Sequence, residues 1–516
     1  MSRLKRYVQS LASGYLMLGA NILYTLGSVP LVLRYLSQAE FGLWALVTQL
    51  GFYLNLVDFG MSGAGTRILI DHKDDRESPN YGSVILTSVL VNAVQAGLIL
   101  AIGGLVAVRV GPWLGVPEAM IPTFQTLVFW QCAGLAVTSA LRTASTILMA
   151  HQRTDLVNLS QTVLFLLNFG VLWFGLHRGW GILSLVWAQV LGQVLGSGIT
   201  VAWCFRLALL PQPGRWGRPR MTWFGELFSY GRDMFLYSVG NLLINFSQTL
   251  LISRVAGLDT AAVWSVCTRA FNLASQFIYR IFDASVPALG EMIVRREQER
   301  LRHRFRSMVI ASGSVALLAG VALGTCNQSF VHWWTGGKIG WKPIHDWLLG
   351  AWLVILVLIR SHTGLVGLTK EFRFLRYIYF CEGVFFVIAG FAALHAQGLA
   401  AMLLVSILGS LGITLPYSLW RTARYFGLPW HEVALGWARP TITTLPALVG
   451  ISLAAHGLAG SHAPLTRMII GCGVVLGLGG LAVLRWGLDE PMRRELFERL
   501  RSVLPSTSRG LGTPPR

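Results

Sequence analysis

Charge is what this 516-residue chain has least of. Asp, Glu, Lys and Arg make up 13% of it, against 54% apolar residues, whereas a soluble domain carries about 25% charged residues. So little polar surface excludes a water-soluble globule and predicts a polytopic membrane protein. At roughly 20 residues per crossing, the length allows well over ten spans. Lysine is scarcest: five Lys stand beside 37 Arg and 23 acids, for a formal charge of +19. In a soluble chain such a basic excess would suggest nucleic acid. In a membrane protein, arginine collected in cytoplasmic loops accounts for it, and no nucleic-acid partner is expected. The six cysteines (132, 204, 267, 326, 381 and 472) are scattered singly, so neither a disulfide framework nor a metal site is predicted. The eleven His form no ligand pattern. No G-x-x-x-x-G-K-[ST] loop exists to cradle a nucleotide, which excludes a primary pump; Gly336-Gly-Lys338 falls in an external loop. Asp71-His-Lys-Asp-Asp75 is the one dense acidic group. It sits in a short polar loop and reads as a solvated turn, so no glycosyl-transferring or polymerising centre, no enzyme activity and no cofactor are expected.

What the chain does contain is apolar runs. Spans are expected near 11–33, 41–63, 83–108, 122–141, 156–176, 182–205, 233–253, 261–288, 307–325, 347–368, 377–396, 399–420, 441–458 and 467–484. The fold class is therefore all-α and polytopic, with about fourteen transmembrane helices. The run from Leu11 to Leu33 follows a basic Arg3-Leu-Lys-Arg6, as a signal peptide would, but it is too long and lacks a small-residue cleavage site. A retained helix is expected. With the N-terminus inside, cytoplasmic segments hold 31 Lys and Arg and external ones 7. One wrongly placed helix would invert every later loop and spoil that asymmetry, so both termini are predicted to be cytoplasmic. The longest external connection runs from Cys326 to Asp346. Its Trp333, Trp334 and Trp341, with Trp347 beside it, suit an interfacial aromatic belt. Leu207 to Arg220 reads as a Pro-, Gly- and Arg-rich linker. Glu291 to Arg306 and Pro491 to Pro505 are expected to be surface helices, the second with an apolar face of Leu496, Phe497, Leu500, Val503 and Leu504. A disordered tail follows.

An internal repeat organises these helices. Asn21–Val47 aligns without gaps, at an offset of 220, on Asn241–Cys267. Asn21 matches Asn241, Arg34 matches Arg254 and Trp44 matches Trp264. After a five-residue shift, Asp58 matches Asp283 and Gly65 matches Gly290. Six helices separate the copies, so both start on the same side and form parallel repeats about an axis along the membrane normal. The expected organisation is an N-lobe over 1–215 (helices 1–6), a C-lobe over 216–425 (helices 7–12), two extra helices within 426–485, and an amphipathic helix with its tail over 486–516. Matching polar stripes mark the first helix of each lobe: Asn21, Thr25 and Ser28 in one, Asn241, Asn245 and Gln248 in the other. Such groups often do no more than bond neighbouring helices. Their equivalent positions point instead to a common central space.

The stretch Ala261–Gly290 is charged where a span should not be. At about 100° per residue, Ser265, Arg269, Asn272, Gln276, Arg280 and Asp283 fall within an arc of roughly 80°. A charge at the hydrocarbon centre costs at least about 2.5–3.5 kcal/mol, so this stripe faces a protein interior or a wet cavity. Gln49 stands where the second copy has Arg269, so the cationic character belongs to the second lobe alone.

The passage Val29–Val47, with its Pro-containing first helix, Arg-Tyr-Leu turn and Glu-Phe-Gly-Leu-Trp opening, followed by Leu54–Arg67 with its Asp-Phe-Gly, resembles the start of bacterial polysaccharide flippases. These are the O-antigen and exopolysaccharide exporters of the multidrug/oligosaccharidyl-lipid/polysaccharide (MOP) superfamily. The resemblance implies a flippase that moves undecaprenyl-diphosphate-linked oligosaccharide from the inner to the outer leaflet of the bacterial inner membrane. Polymerase and glycosyltransferases of the pathway, and membrane lipids, are the implied partners. Members usually have twelve helices and the peptidoglycan-precursor branch fourteen, so a lipid-linked peptidoglycan precursor is the alternative substrate. A cation-coupled multidrug antiporter would need buried acids, whereas the best-buried charges here are net positive. Intact symmetric stripes also argue against an assembly partner without transport activity.

On that reading arginine suits the diphosphate, because its planar fork pairs bidentately with phosphate and stays charged. Arg269 is the first choice, with no acid within one turn. Arg360 in the tenth helix has no local partner, while Arg280 has Asp283 one turn on. Asn21, Thr25, Gln49, Asn241, Asn245, Gln248, Asn272 and Gln276 are the candidates for holding the glycan. Arg34 and Arg254 close the outer ends of equivalent helices, as gates or as snorkelling groups. Asp58 and Asp283, at inner ends, are inner-gate candidates for which a structural role is favoured. Glu382 is the candidate for ion coupling, since burial disfavours a carboxylate's charged form; it is equally an arginine's partner. By analogy with the family, the last two helices line a groove for the prenyl tail.

Overall fold

A computed structural model describes residues 3–74, 78–369, 374–460, 462–494 and 498. The apolar face expected at 496–504, the tail beyond it and Asp75 lie outside the described residues, which contain helices and no strand. In chain order the helices are α1 (Arg3–Tyr35), α2 (Gln38–Leu54), α3 (Met61–His72), α4 (Pro79–Trp113), α5 (Ile121–Ala140), α6 (Arg142–Ala150), α7 (Thr154–His177), α8 (Leu183–Arg206), α9 (Met221–Cys267), α10 (Arg269–Val294), α11 (Gln298–Trp334), α12 (Pro343–Leu368), α13 (Leu375–Gln397), α14 (Leu399–Gly409), α15 (Leu415–Phe426), α16 (Arg439–Ala459) and α17 (Pro464–Ala482).

Among the described residues, twelve helical stretches are long and apolar enough to cross a membrane. One of them, Phe235–Val294, has 60 residues and holds two of the expected spans, because the chain breaks at Gly257 (φ 82°, ψ 173°). The expected span at 41–63 is divided. The 17-residue α2 ends in a 3₁₀ turn over Asn55–Asp58. Phe59 (φ 49°) and Gly60 (φ 73°) then turn the chain into α3. With these two adjustments all fourteen expected positions are helical, and the chain is an all-α membrane-spanning protein. Two expectations needed correction. The connection around residues 326–346 is mostly helix, because α11 runs to Trp334 and α12 starts at Pro343. Glu291–Arg306 is not a separate surface helix but the end of α10 and the start of α11, joined at Arg296 (φ 59°).

The repeat is visible in how its helices begin. Ser37 closes a capping box with Glu40 at the start of α2, its hydroxyl and the Glu40 carboxylate accepting from two backbone N–H donors that would otherwise be orphaned there. The position 220 residues on is Gly257, where the second copy makes the same break through a left-handed glycine instead.

The chain forms two compact units. One comprises Met1–Arg269, Val331–Lys342 and Phe372–Thr414; the other Ala270–Phe330, Pro343–Glu371 and Leu415–Arg516. Within the first, Gly42 lies against Leu258 so closely that a Cβ would sit 1.9 Å from the Leu258 carbonyl oxygen, and Gly240 meets the Tyr379 backbone in the same manner. The linker at 207–220 is tied to α4, where the Arg218 and Arg220 backbone N–H groups donate to Ser83 and Thr87 hydroxyls. Within the second unit, Phe282, Leu301, Phe305, Leu365 and Trp437 share one apolar core, and α11 crosses α12 where Gly320 faces Gly350. Small residues at crossings let backbones approach closely, which is how helices associate without a hydrophobic driving force.

Candidate functional site

In the first unit the polar residues of the repeat gather on α1, α2 and α9. Asn245 Nδ2 donates to Asn241 Oδ1 at 3.0 Å, and Thr25 Oγ1 to Asn21 Oδ1 at 3.5 Å, so each stripe is linked along its own helix. Gln248 is buried and donates to Ile244 O at 3.2 Å. Gln49 reaches across from α2 and donates to Phe246 O on α9 at 3.1 Å. Beside it, the Tyr53 and Ser247 hydroxyls share a 2.5 Å hydrogen bond. Sequence reasoning missed that pair, although Tyr53 lies one helical turn past Gln49 and so on the same face.

Arg269 opens α10. It is half-buried, within electrostatic reach of the Tyr24 hydroxyl on α1, and makes no ion pair among the described residues. The repeat therefore places two equivalent side chains on opposite first helices: Gln49 on α9, and Arg269 near α1.

In the second unit α10 has the two faces expected of it. Phe271, Ser275, Ile278 and Phe282 are buried, while Asn272, Gln276, Arg280 and Asp283 are exposed. Asp283 does not neutralise Arg280, as its spacing suggested. It accepts from Arg360 Nη2 of α12 at 2.9 Å, with the two side chains 44% and 41% exposed. The Arg360 guanidinium also lies 5.9 and 5.8 Å from the centroids of Tyr279 and Phe282, a cation–π platform. The carboxylate is thus drawn to a cation already positioned by aromatic rings, and Arg280 makes no ion pair among the described residues. Ions this exposed inside membrane-spanning helices require water around them, because hydrocarbon would not hold them.

The remaining candidates separate. Arg34 and Arg254 are exposed at or near the ends of equivalent helices. Asp58 Oδ1 pairs with Arg142 Nη1 at 2.7 Å and accepts from Ser62 Oγ at 2.6 Å. This tie between the 3₁₀ turn and α6 spans a sequence distance that no local pattern reveals. Glu382 is 3% exposed. It accepts from Ser410 Oγ at 2.7 Å and from the Thr414 hydroxyl. Ser410–Thr414 is a turn of π-helix, and such turns recur at functional sites.

Solved structures with a similar fold include membrane transporters. A multidrug resistance MATE family transporter of the MOP superfamily, in its inward-facing conformation, is similar with a TM-score of 0.69 at 14% identity, over 80% of this chain and 98% of that one. The lipid II flippase MurJ, in an inward closed conformation, is similar with a TM-score of 0.67 at 12% identity, over 96% of this chain and 100% of that one. A MOP superfamily transporter from Pyrococcus furiosus gives 0.52 at 14% identity, over 83% and 96%. At these identities the likeness is one of fold. No curated protein matches the sequence significantly. Residues 10–293, more than half of the chain, match the family described as polysaccharide biosynthesis protein, and this chain belongs to that family.

Proposed function

We propose that this protein translocates an undecaprenyl-diphosphate-linked oligosaccharide from the inner to the outer leaflet of the bacterial inner membrane, for a surface polysaccharide such as O-antigen or exopolysaccharide. The observation that carries this reading is Arg269, a half-buried guanidinium in a membrane-spanning stretch with no ion pair among the described residues. A charge kept there without a carboxylate serves an anion that arrives from elsewhere, and a diphosphate matches its geometry. Arg360 and Arg280 add cationic groups on wet faces. Asn21, Thr25, Asn241, Asn245, Gln248, Gln49, Asn272 and Gln276 supply amides and hydroxyls suited to a glycan. The lobes 1–215 and 216–425 rock about the site in alternating access, both termini lie in the cytoplasm, Arg34 and Arg254 guard the outer ends, and Glu382 carries the coupling proton or cation.

Arg269→Ala and Arg269→Lys both lose surface polysaccharide at unchanged protein level; wild-type amounts in the alanine variant sink the assignment. The second reading, a lipid-linked peptidoglycan precursor, is favoured by the match to the lipid II flippase along nearly the whole chain. The two are separated by deletion. Cells lacking a surface-polysaccharide flippase stay viable and lose the polymer, whereas cells depleted of a precursor flippase stop wall synthesis and lyse.

A further inference from the structure

We infer that the connection between α11 and α12 is a latch on the C-terminal end of α1, closed by Trp334 and Lys338. The need for it arises in α1 itself. Pro30 lies inside that helix and has no N–H, so the Leu26 carbonyl four residues earlier loses its regular helical donor. Trp334, only 8% exposed, supplies the replacement: its indole N–H donates to Leu26 O at 2.8 Å. One to two turns further on, the carbonyls that end α1 are orphaned as in any helix. There the Lys338 ammonium donates to Leu33 O.

The connection is shaped to deliver both groups. At the end of α11, Gly336 (φ 63°) and Gly337 (φ 79°) adopt left-handed conformations that a side chain would strain. The Gly337 N–H closes the turn on His332 O at 2.8 Å, which returns Lys338 toward α1. Ile339 and Trp341 beyond it are buried, and the Trp341 ring lies 6.4 Å from that of Trp264. Val331–Lys342 accordingly packs in the same compact unit as α1.

The second repeat shows that the latch answers the proline. Position 250, equivalent to Pro30, is Leu, so Phe246, the counterpart of Leu26, keeps its helical donor. Its carbonyl receives only the added amide of Gln49. A membrane helix interrupted by proline bends there unless its freed carbonyl is held. While Trp334 and Lys338 are bonded, the end of α1 is pinned; when they release, it is free to move. That such release opens one side of the transporter rests on the alternating-access reading above, but the two bonds and their test do not.

The test uses the full-length protein in nanodiscs with Ser28→Cys, a buried position, as reporter. Its rate of modification by a soluble maleimide is read at residue 28 by mass spectrometry. Trp334→Phe keeps the ring and removes the donor; Lys338→Met keeps most of the stem and removes the charge. Each is expected to raise the rate by about five-fold, the factor that one net hydrogen bond is worth. Pro30→Ala restores the helical donor to Leu26 O, so in that background Trp334→Phe leaves the rate within about two-fold. Wild-type rates in both single variants overturn the latch, as does an effect of Trp334→Phe that is equal with and without Pro30. Lys338 is exposed, so its variant folds and decides the matter if Trp334→Phe does not accumulate. The labelling reads the end of α1 and not transport. Export that survives Arg269→Ala would therefore sink the substrate assignment and leave the latch standing.

Discussion

Asp283 and Arg360 illustrate how a charged pair in a membrane helix can be cheap to break and still matter. Each is more than two-fifths exposed, and pairs of that kind contribute about 0–1 kcal/mol to stability. Asp283→Asn should therefore leave the thermal midpoint nearly unchanged in a fluorescence melt. Its expected effect lies in function, because it removes this carboxylate from a guanidinium that Tyr279 and Phe282 keep in position. If a substrate phosphate competes with Asp283 for Arg360, export persists in Asp283→Asn and falls by about ten-fold in Arg360→Ala, the loss of roughly one charge-assisted hydrogen bond. Equal loss in both variants would show that the pair is needed intact. Glu382 is the opposite case. It is buried and accepts two hydroxyl donors, so Glu382→Leu should cost about 1–3 kcal/mol for each hydroxyl left without its acceptor. Glu382→Gln keeps the shape and one acceptor oxygen, and should fold. On the coupling proposal it loses export while the protein level in the membrane holds, and full export in that variant removes Glu382 from the coupling role.

Helices in this fold meet where side chains vanish. A methyl on Gly42 would collide with the Leu258 carbonyl oxygen, a backbone atom that cannot swing aside. Gly42→Ala should therefore abolish monodisperse protein in detergent size-exclusion profiles. Gly63 in α3 has nothing within 4 Å of its would-be Cβ. There alanine removes the helix penalty of glycine, about 1 kcal/mol, so Gly63→Ala should raise yield or leave it unchanged. The contrast tests packing rather than composition, since both are glycines in helices. Hydropathy and periodicity anticipated the helices themselves because a bilayer forces backbone groups to pair within each segment. They did not anticipate the end of α2 in a 3₁₀ turn or the π-turn that brings Ser410 and Thr414 to Glu382, since such local departures are selected by what lies opposite them.

For the molecule as a whole, charge asymmetry across the loops predicts an orientation that reporter fusions can check. Alkaline phosphatase joined within the connection after α4, near Leu114, should be active. Joined after α8, near Leu207, it should be inactive, because arginine-rich loops stay in the cytoplasm. The reverse pattern would invert every gate assignment made above, including the outer placement of Arg34 and Arg254.

Fold class, span positions, the 220-residue repeat and the polar face of α10 were all readable from the chain, because each follows from the energy of placing backbone or charge in hydrocarbon, a cost that every segment meets by itself. Partners were not readable. Asp283 chose Arg360 over the nearer Arg280, Asp58 found Arg142, and Trp334 answered the carbonyl that Pro30 had freed, across separations of 77 residues in the first case and 308 in the last. A pairing between helices depends on which faces the fold brings within hydrogen-bond distance, and only the tertiary structure decides that.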